Sequence, residues 1–234
     1  MKVIILAGGK GTRLHPLTKK IPKPMILING KPIILRIIEI YLNYGFNDFI
    51  IAGGYKKEII SNYFKNKKLN FKIKIIDTGK NSMTGGRILK LEKITGNNRF
   101  LLTYGDAIGD INIKKLINFH LKKGKEITVT GVRPPSRFGV MEIIKNEVVS
   151  FKEKVQMKSG WINGGFFVIE PKFINSIKNF NTILEGEPLE KAAKNNKLGC
   201  FKHTGFWQCV DTLRDKDVLE NYINEKEKNL YFRG

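Results

Sequence analysis

Apolar residues fall along this chain in two patterns, and the patterns alternate. Short, mostly apolar runs at 3–6, 48–52 and 100–104, and another after Gly164-Gly165, read as strands, those at 3–6 and 100–104 as buried ones, and 126–132 reads as a further strand. Between them lie stretches with helical spacing: 33–44, opened by Gly30-Lys31-Pro32 and stopped by Gly45, then 56–64, 88–94, and 113–123 behind the cap Asn112. Two more follow, at 185–195 and from Thr212 to about 228. Residues 71–75 alternate as a strand with one wet face does, and 140–144 with 148–151 predicts a hairpin about Lys145-Asn146-Glu147. Such alternation requires parallel strands joined by crossover helices. The expected fold class is α/β, a doubly wound, mostly parallel, Rossmann-like sheet with a small β-hairpin subregion.

Sheets of this kind bind ligands beyond the carboxyl ends of their strands, and the sequence is dense with chemistry there. Leu6-Ala7-Gly8-Gly9-Lys10-Gly11-Thr12-Arg13 follows the first strand, and its glycines let backbone N–H groups close on phosphate oxygens. Arg13 adds a rigid fork; Lys23, between Pro22 and Pro24, adds a mobile point charge. The run matches neither a Walker loop nor the Gly-x-Gly-x-x-Gly fingerprint. It reads as a clamp for a nucleoside triphosphate.

Further along, Ser82 or Thr84 caps the helix at 88–94, and Gly85-Gly86 with Arg87 admits a flat base or a phosphate to its N-terminus, a plain capped loop being the ordinary alternative. Gly105-Asp106 ends the strand at 100–104, where Asp106 is placed to hold Mg²⁺ beside phosphates, while Asp110 fits a turn cap better. Asp211 shares that ion if the two carboxylates converge. Lys154 can pair with a substrate phosphate, and Asn163 can bond a sugar hydroxyl with Gly164 leaving room for the ring. Glu185 and Glu187 begin a helix at its favourable positive end, or one of them faces the sugar.

Length and composition narrow this picture. At 234 residues and 41% apolar, the chain can bury one substantial core. A net charge of +21 suggests nucleic acid at first, but the lysines are spread out and the clumps at 65–68 and 122–125 lack interleaved aromatics. A solvated Lys-rich surface that attracts small anions, with no nucleic-acid partner, is the simpler reading. No apolar run nears the ~20 residues of a membrane span, so no membrane partner is expected and the compartment expected is the cytoplasm. Cys200 and Cys209 read as buried thiols, not a disulfide or metal site, and His15, His120 and His203 have no catalytic role, His120 being a partly buried surface residue.

Together these residues resemble the sugar-1-phosphate nucleotidylyltransferases. The opening LAGGKGTRL, Pro22-Lys23-Pro24 and Asp106 mark the superfamily. DTGKNSMTGGR at 77–87, TYGDAIGDIN at 103–112, RFG at 137–139, INGGFFV at 162–168, EPL at 187–189 and GFWQCVDTLRD at 205–215 are similar to its glucose-1-phosphate cytidylyltransferase branch. The resemblance implies the nucleotidyltransferase form of the sheet in a single domain, 1–228, with a nucleotide half of about 1–110 and a sugar-phosphate half of about 111–228; the tail at 229–234, reminiscent of a protease-site scar, is set aside. It implies nucleotide contacts from Leu6 through Arg13 and from Lys23, Ser82, Thr84, Arg87 and Gly105. Sugar-phosphate contacts fall to Lys154, Asn163, Gly164 and Glu187, Mg²⁺ to Asp106 and Asp211, and catalysis to Arg13, Lys23, Asp106 and Lys154. The partners implied are CTP and a sugar 1-phosphate, in a cytoplasmic homo-oligomer. Three features depart from that branch: His15-Pro16-Leu17-Thr18 looks like thymidylyltransferase relatives, Val155 stands where Pro is usual, and the stretch from 64 to 77 is short. Another acceptor or dTTP or UTP would suit the same chemistry, and a non-catalytic nucleotide-sugar sensor is opposed by the presence of both aspartates.

Overall fold

The computed structural model describes residues 1–65, 67–134, 140–152 and 160–231. In chain order, β1 (Val3–Ala7) is followed by α1 (Leu17–Lys20), the short strands β2 (Leu27–Ile28) and β3 (Lys31–Pro32), α2 (Ile33–Leu42), β4 (Asp48–Gly53), α3 (Lys57–Lys65) and β5 (Lys72–Asp77). Next come α4 (Thr84–Lys90), α5 (Glu92–Thr95), β6 (Phe100–Tyr104), β7 (Ala107–Gly109), α6 (Ile113–Lys123), β8 (Ile127–Val132), β9 (Val140–Ile144) and β10 (Glu147–Lys152). The chain closes with β11 (Ile162–Ile169), α7 (Glu187–Lys194), β12 (Leu198–His203), β13 (Trp207–Cys209) and α8 (Leu213–Tyr231).

Seven strands form one sheet in the order β12-β8-β11-β6-β1-β4-β5. All its pairings are parallel except those of β11, which runs against both β6 and β8. Alternation along β1 shows why both faces are covered. Val3, Ile5 and Ala7 enter one core with Ile33, Ile37 and Tyr41 of α2; Ile4 and Leu6 enter the other with Ile88, Leu102 and Phe173. The chain passes from β1 to β4 on one side and places β6 on the other, so the strand order reverses at β1. A crevice forms outside the carboxyl ends at such a point.

Most predicted elements are present with shifted ends. Lys31-Pro32 pairs with β2 and only then turns into α2, so Pro32 caps the helix from outside its first turn. The helix expected at 88–94 starts at Thr84 and breaks at Leu91; Met83 is its N-cap, and neither Ser82 nor Thr84 caps it. Gly85 and Gly86 lie inside this helix, where a Cβ on Gly86 would stand 2.0 Å from the Phe180 carbonyl oxygen. Their smallness serves the chain's own backbone. Asn112 caps α6 by accepting from the Lys115 N–H at 2.9 Å, and the hairpin turns on Lys145 and Asn146 at φ 47° and 70°, the signature of a tight primed turn. Among the described residues no helix is long and apolar enough to cross a membrane.

Candidate active site

The loop after β1 is held from behind by Arg87. This side chain is buried; its Nη2 donates to Gly8 O at 2.9 Å and its Nη1 to Thr78 Oγ1 at 2.8 Å and Gly79 O at 2.9 Å. A Cβ on Gly8 would strike the guanidinium at 2.0 Å, so any larger residue there would push Arg87 out of these bonds. Gly11 adopts φ +63°, which turns the loop into the short helix containing Arg13. Arg87 was expected to touch the nucleotide. Its Nη1 and Nη2 donate to carbonyls and a hydroxyl, so it holds together the loops that face the cleft while itself reaching the cleft lining.

Asp106 and Asp211, far apart in sequence, meet through an antiparallel pair of short strands. Cys209 of β13 lies opposite Ala107 of β7, and the Val210 N–H donates to Asp106 O at 2.9 Å. Thr212 and Asp215 cap α8 reciprocally, the Thr212 N–H donating to Asp215 Oδ2 at 2.8 Å and the Asp215 N–H to Thr212 Oγ1 at 3.1 Å. The Asp211 N–H joins the same carboxylate at 3.0 Å, which fixes its position at the helix start.

Between the two aspartates lies Lys23, whose Nζ donates to Asp106 Oδ2 at 2.7 Å and Asp211 Oδ1 at 2.6 Å. In the absence of ligand it is buried and held by both carboxylates. Burial alone would lower its pKa, but Asp106 and Asp211 outweigh that and raise it. Asp211 is likewise held below the usual carboxylate range, since Lys23 and Arg13 overcome the opposing effect of burial. Arg13 reaches Asp211 Oδ2 at 2.7 Å with its own side chain 74% exposed. Such a pair adds little to stability and leaves the guanidinium free to turn to a ligand.

Cys209 stands beside this cluster, its Sγ and one oxygen of each aspartate all lying within 4.8 Å of one another. Burial and the Asp106 charge push its thiol pKa far up. Sequence reading missed this placement and the exposure of Cys200. Two carboxylates that one ammonium can bridge are spaced for a divalent cation, and a hard one takes their oxygens in preference to a protonated thiol. The donor set fits Mg²⁺.

A cleft of about 520 Å³ opens in front of these groups, within the range of small-molecule sites. Leu6, Gly8, Gly9, Gly11, Arg13, Lys23, Ser82, Thr84, Arg87, Gly105, Asp106, Asn163 and Asp211 line it as expected, whereas Ala7, Lys10 and Thr12 lie outside its lining. Its far wall is a network that sequence reading did not assemble. Glu185 accepts from Tyr104 Oη on one oxygen and from Thr84 Oγ1 at 2.6 Å on the other. Asn163 Nδ2 donates to Tyr104 Oη at 3.0 Å.

Glu187, expected at the sugar, is not in the lining. It pairs with Lys178 at 2.8 Å and Lys191 at 2.7 Å, which hold its carboxyl at about 2, because a residue one step inside α7 faces those lysines. Gly164 does not open space for a ring either: a Cβ there would meet Val132 Cγ1 at 2.7 Å and Thr130 O at 3.0 Å. Lys154 and the 137–139 motif lie outside the described residues. His120 is fully buried rather than partly so, and His203 has a carboxylate partner, Asp110, at 3.0 Å. Among the described residues no histidine lines the cleft. The signal for Glu185 was present as one of two candidates; Tyr104 was legible only as a strand residue preceding Gly105-Asp106.

Comparison with known proteins bears on this geometry. The family model described as nucleotidyl transferase matches residues 2–215. Glucose-1-phosphate cytidylyltransferase of Salmonella typhimurium is 43% identical over 243 residues, covering 94% of this chain and 95% of that protein. HddC from Yersinia pseudotuberculosis, whose crystal structure has been solved complexed with GMP-PN, aligns at TM-score 0.74 and 28% identity, over 95% of this chain and 99% of that one. UDP-glucose pyrophosphorylase complexed with UDP-glucose aligns at TM-score 0.75 and 21% identity, over 96% and 98%, a likeness of fold.

Proposed function

The chain belongs to the nucleotidyl transferase family, and we propose that it transfers CMP from CTP to glucose 1-phosphate, giving CDP-glucose and pyrophosphate. The observation that carries this reading is the cleft itself, where the glycine loop, Arg13, Lys23 and the Asp106–Asp211 pair face the Tyr104–Glu185–Asn163 wall. The 43% identity to the Salmonella typhimurium cytidylyltransferase supports the substrate pair.

An oxygen of the sugar phosphate attacks the α-phosphorus of CTP in line. The new P–O bond forms as the bond to the β-phosphate oxygen breaks, and that oxygen leaves as part of pyrophosphate. The second pKa of a phosphate monoester is about 6, so the nucleophile is already an anion and needs no general base. What the chain must supply is alignment and charge neutralisation. Gly8 to Gly11 presents N–H groups, with Ser82 and Gly105 beside the nucleotide, and Arg13 steadies the leaving pyrophosphate. Lys23 draws the two phosphates together, joined by Lys154 on the sugar phosphate. Asp106 and Asp211 would hold Mg²⁺, which supplies charge neutralisation at the α-phosphate when bound. Asn163 and Glu185 take sugar hydroxyls. Nucleotide contacts thus come from the half at about 1–110, and sugar contacts, with Asp211, from that at about 111–228. The resemblance adds a homo-oligomer and a supply of CDP-glucose to dideoxy-sugar and O-antigen synthesis.

Labelled CTP tests the chemistry. Label on the α-phosphate should appear in the sugar nucleotide and label on the γ-phosphate in pyrophosphate. Transfer of γ label to the sugar would contradict the mechanism.

A further inference from the structure

The charges around Lys23 balance before any ligand arrives. Arg13 and Lys23 bring two positive charges, Asp106 and Asp211 two negative ones, and the four touch in a chain of ion pairs of 2.6 to 2.7 Å. A free divalent cation approaching the carboxylates therefore meets a neutral cluster with an ammonium already between them. A nucleoside triphosphate brings about four negative charges near neutral pH, enough to satisfy both Lys23 and Arg13 once they leave the aspartates.

Lys23 is built to make that exchange. Its backbone is fixed between Pro22 and Pro24 in a short 3₁₀ turn, so its side chain alone need move. Its stem runs beside the phosphate loop: a Cβ on Gly11 would lie 3.0 Å from Lys23 Cβ and 3.7 Å from its Cδ. One side chain is thus flanked by the carboxylates at its tip and by the loop along its stem.

We propose that Lys23 is an exchangeable counter-ion: it closes the Asp106–Asp211 pair to free divalent cation, and nucleotide phosphates draw it away, so that metal and nucleotide load together rather than metal first. This rests on the reading of Asp106 and Asp211 as the metal-holding pair. It also explains how two partly buried carboxylates remain paired in the free protein, where leaving them uncompensated would be costly. Lys23 in this role positions the metal site, apart from any contact with substrate.

Mn²⁺ binding without nucleotide, followed by the loss of the free-ion paramagnetic resonance signal, tests it. Lys23→Met and Lys23→Gln, each checked for folding by circular dichroism, should bind Mn²⁺ about tenfold more tightly than wild type or more, since a neighbouring positive charge is removed. Lys31→Met, which removes a surface lysine paired with Glu39, should leave the affinity unchanged and so separates a local effect from net charge. Adding Asp106→Asn to Lys23→Met should abolish the gain. Unchanged Mn²⁺ affinity in both folded Lys23 variants would overturn the counter-ion role while leaving the metal pair standing. A gain that persists in the double variant would overturn the pair itself.

Discussion

Two ionic clusters occupy opposite edges of the same sheet. At the carboxyl ends of β1 and β6, Arg13, Lys23, Asp106 and Asp211 are gathered from four separate loops and turns, and Arg13 stands largely in solvent. At the other edge, beside the start of β6 and the end of β11, Glu170 accepts from Arg99 Nε at 2.7 Å and meets His120 Nε2 at 3.0 Å, and His120 Nδ1 meets Thr128 at 2.8 Å. The second cluster ties together the ends of regular elements and buries its histidine completely. The first is assembled on glycine loops in front of a cleft. Like chemistry stands in two settings: one cluster joins the ends of helices and strands, and the other lies on loops at the mouth of a cleft, where we place the ligand.

The sharpest way to break that contrast is to remove one charge from each. Arg13→Ala should cost roughly a thousandfold in turnover with the melting temperature almost unchanged; near-normal turnover would end its assignment to the leaving group. Arg99→Ala should do the reverse, lowering the melting temperature while folded protein retains its turnover. Arg87→Met ranks next, with nucleotide affinity falling roughly a hundredfold because Gly8 O and Gly79 O lose their donors and the loop loses its anchor. Nucleotide titration by calorimetry would show it.

A smaller effect separates two neighbouring carboxylates. Glu185→Gln should raise the KM for the sugar phosphate about tenfold, whereas Glu187→Gln, whose partners are Lys178 and Lys191, should leave it unchanged. Equal effects would undo the placement of Glu185 at the sugar.

The mildest prediction concerns pH at the structural edge. Burial lowers the His120 pKa against the opposing pull of Glu170. The unfolded chain therefore takes up this proton first, and stability falls as pH drops below about 6.5. Glu170 is lowered too, His120 and Arg99 outweighing burial, which adds a further loss once pH falls below the unfolded carboxylate range. A melting temperature that declines between about pH 7.5 and 5.5, and declines less in His120→Asn, is the expected record.

How much of this was legible in the sequence depended on the range of the forces involved. Strand runs and helix caps such as Asn112 are local, and so were readable within a few residues. The glycine loop, Arg13 and Asp106 were readable because strand ends in a doubly wound sheet share one edge. What escaped were pairings that only the folded chain brings about. Nothing in the sequence shows that Arg87 also donates to the Gly8 and Gly79 carbonyls, and Gly86 looks like room for a base until Phe180 fills it. The Lys23 bridge requires β7 and β13 to pair, and no residue at 107–109 or 207–209 announces that in advance. Glu185 and Glu187 differ by less than one helical turn, too fine a distinction for sequence alone.

The central claim, that this cleft transfers CMP to glucose 1-phosphate, is tested most directly by pyrophosphate release with Mg²⁺, glucose 1-phosphate and each of CTP, dTTP, UTP and GTP in turn. Release with CTP and little with the other three is the predicted result. Release with dTTP or UTP in preference to CTP, or with none of the four, would contradict it.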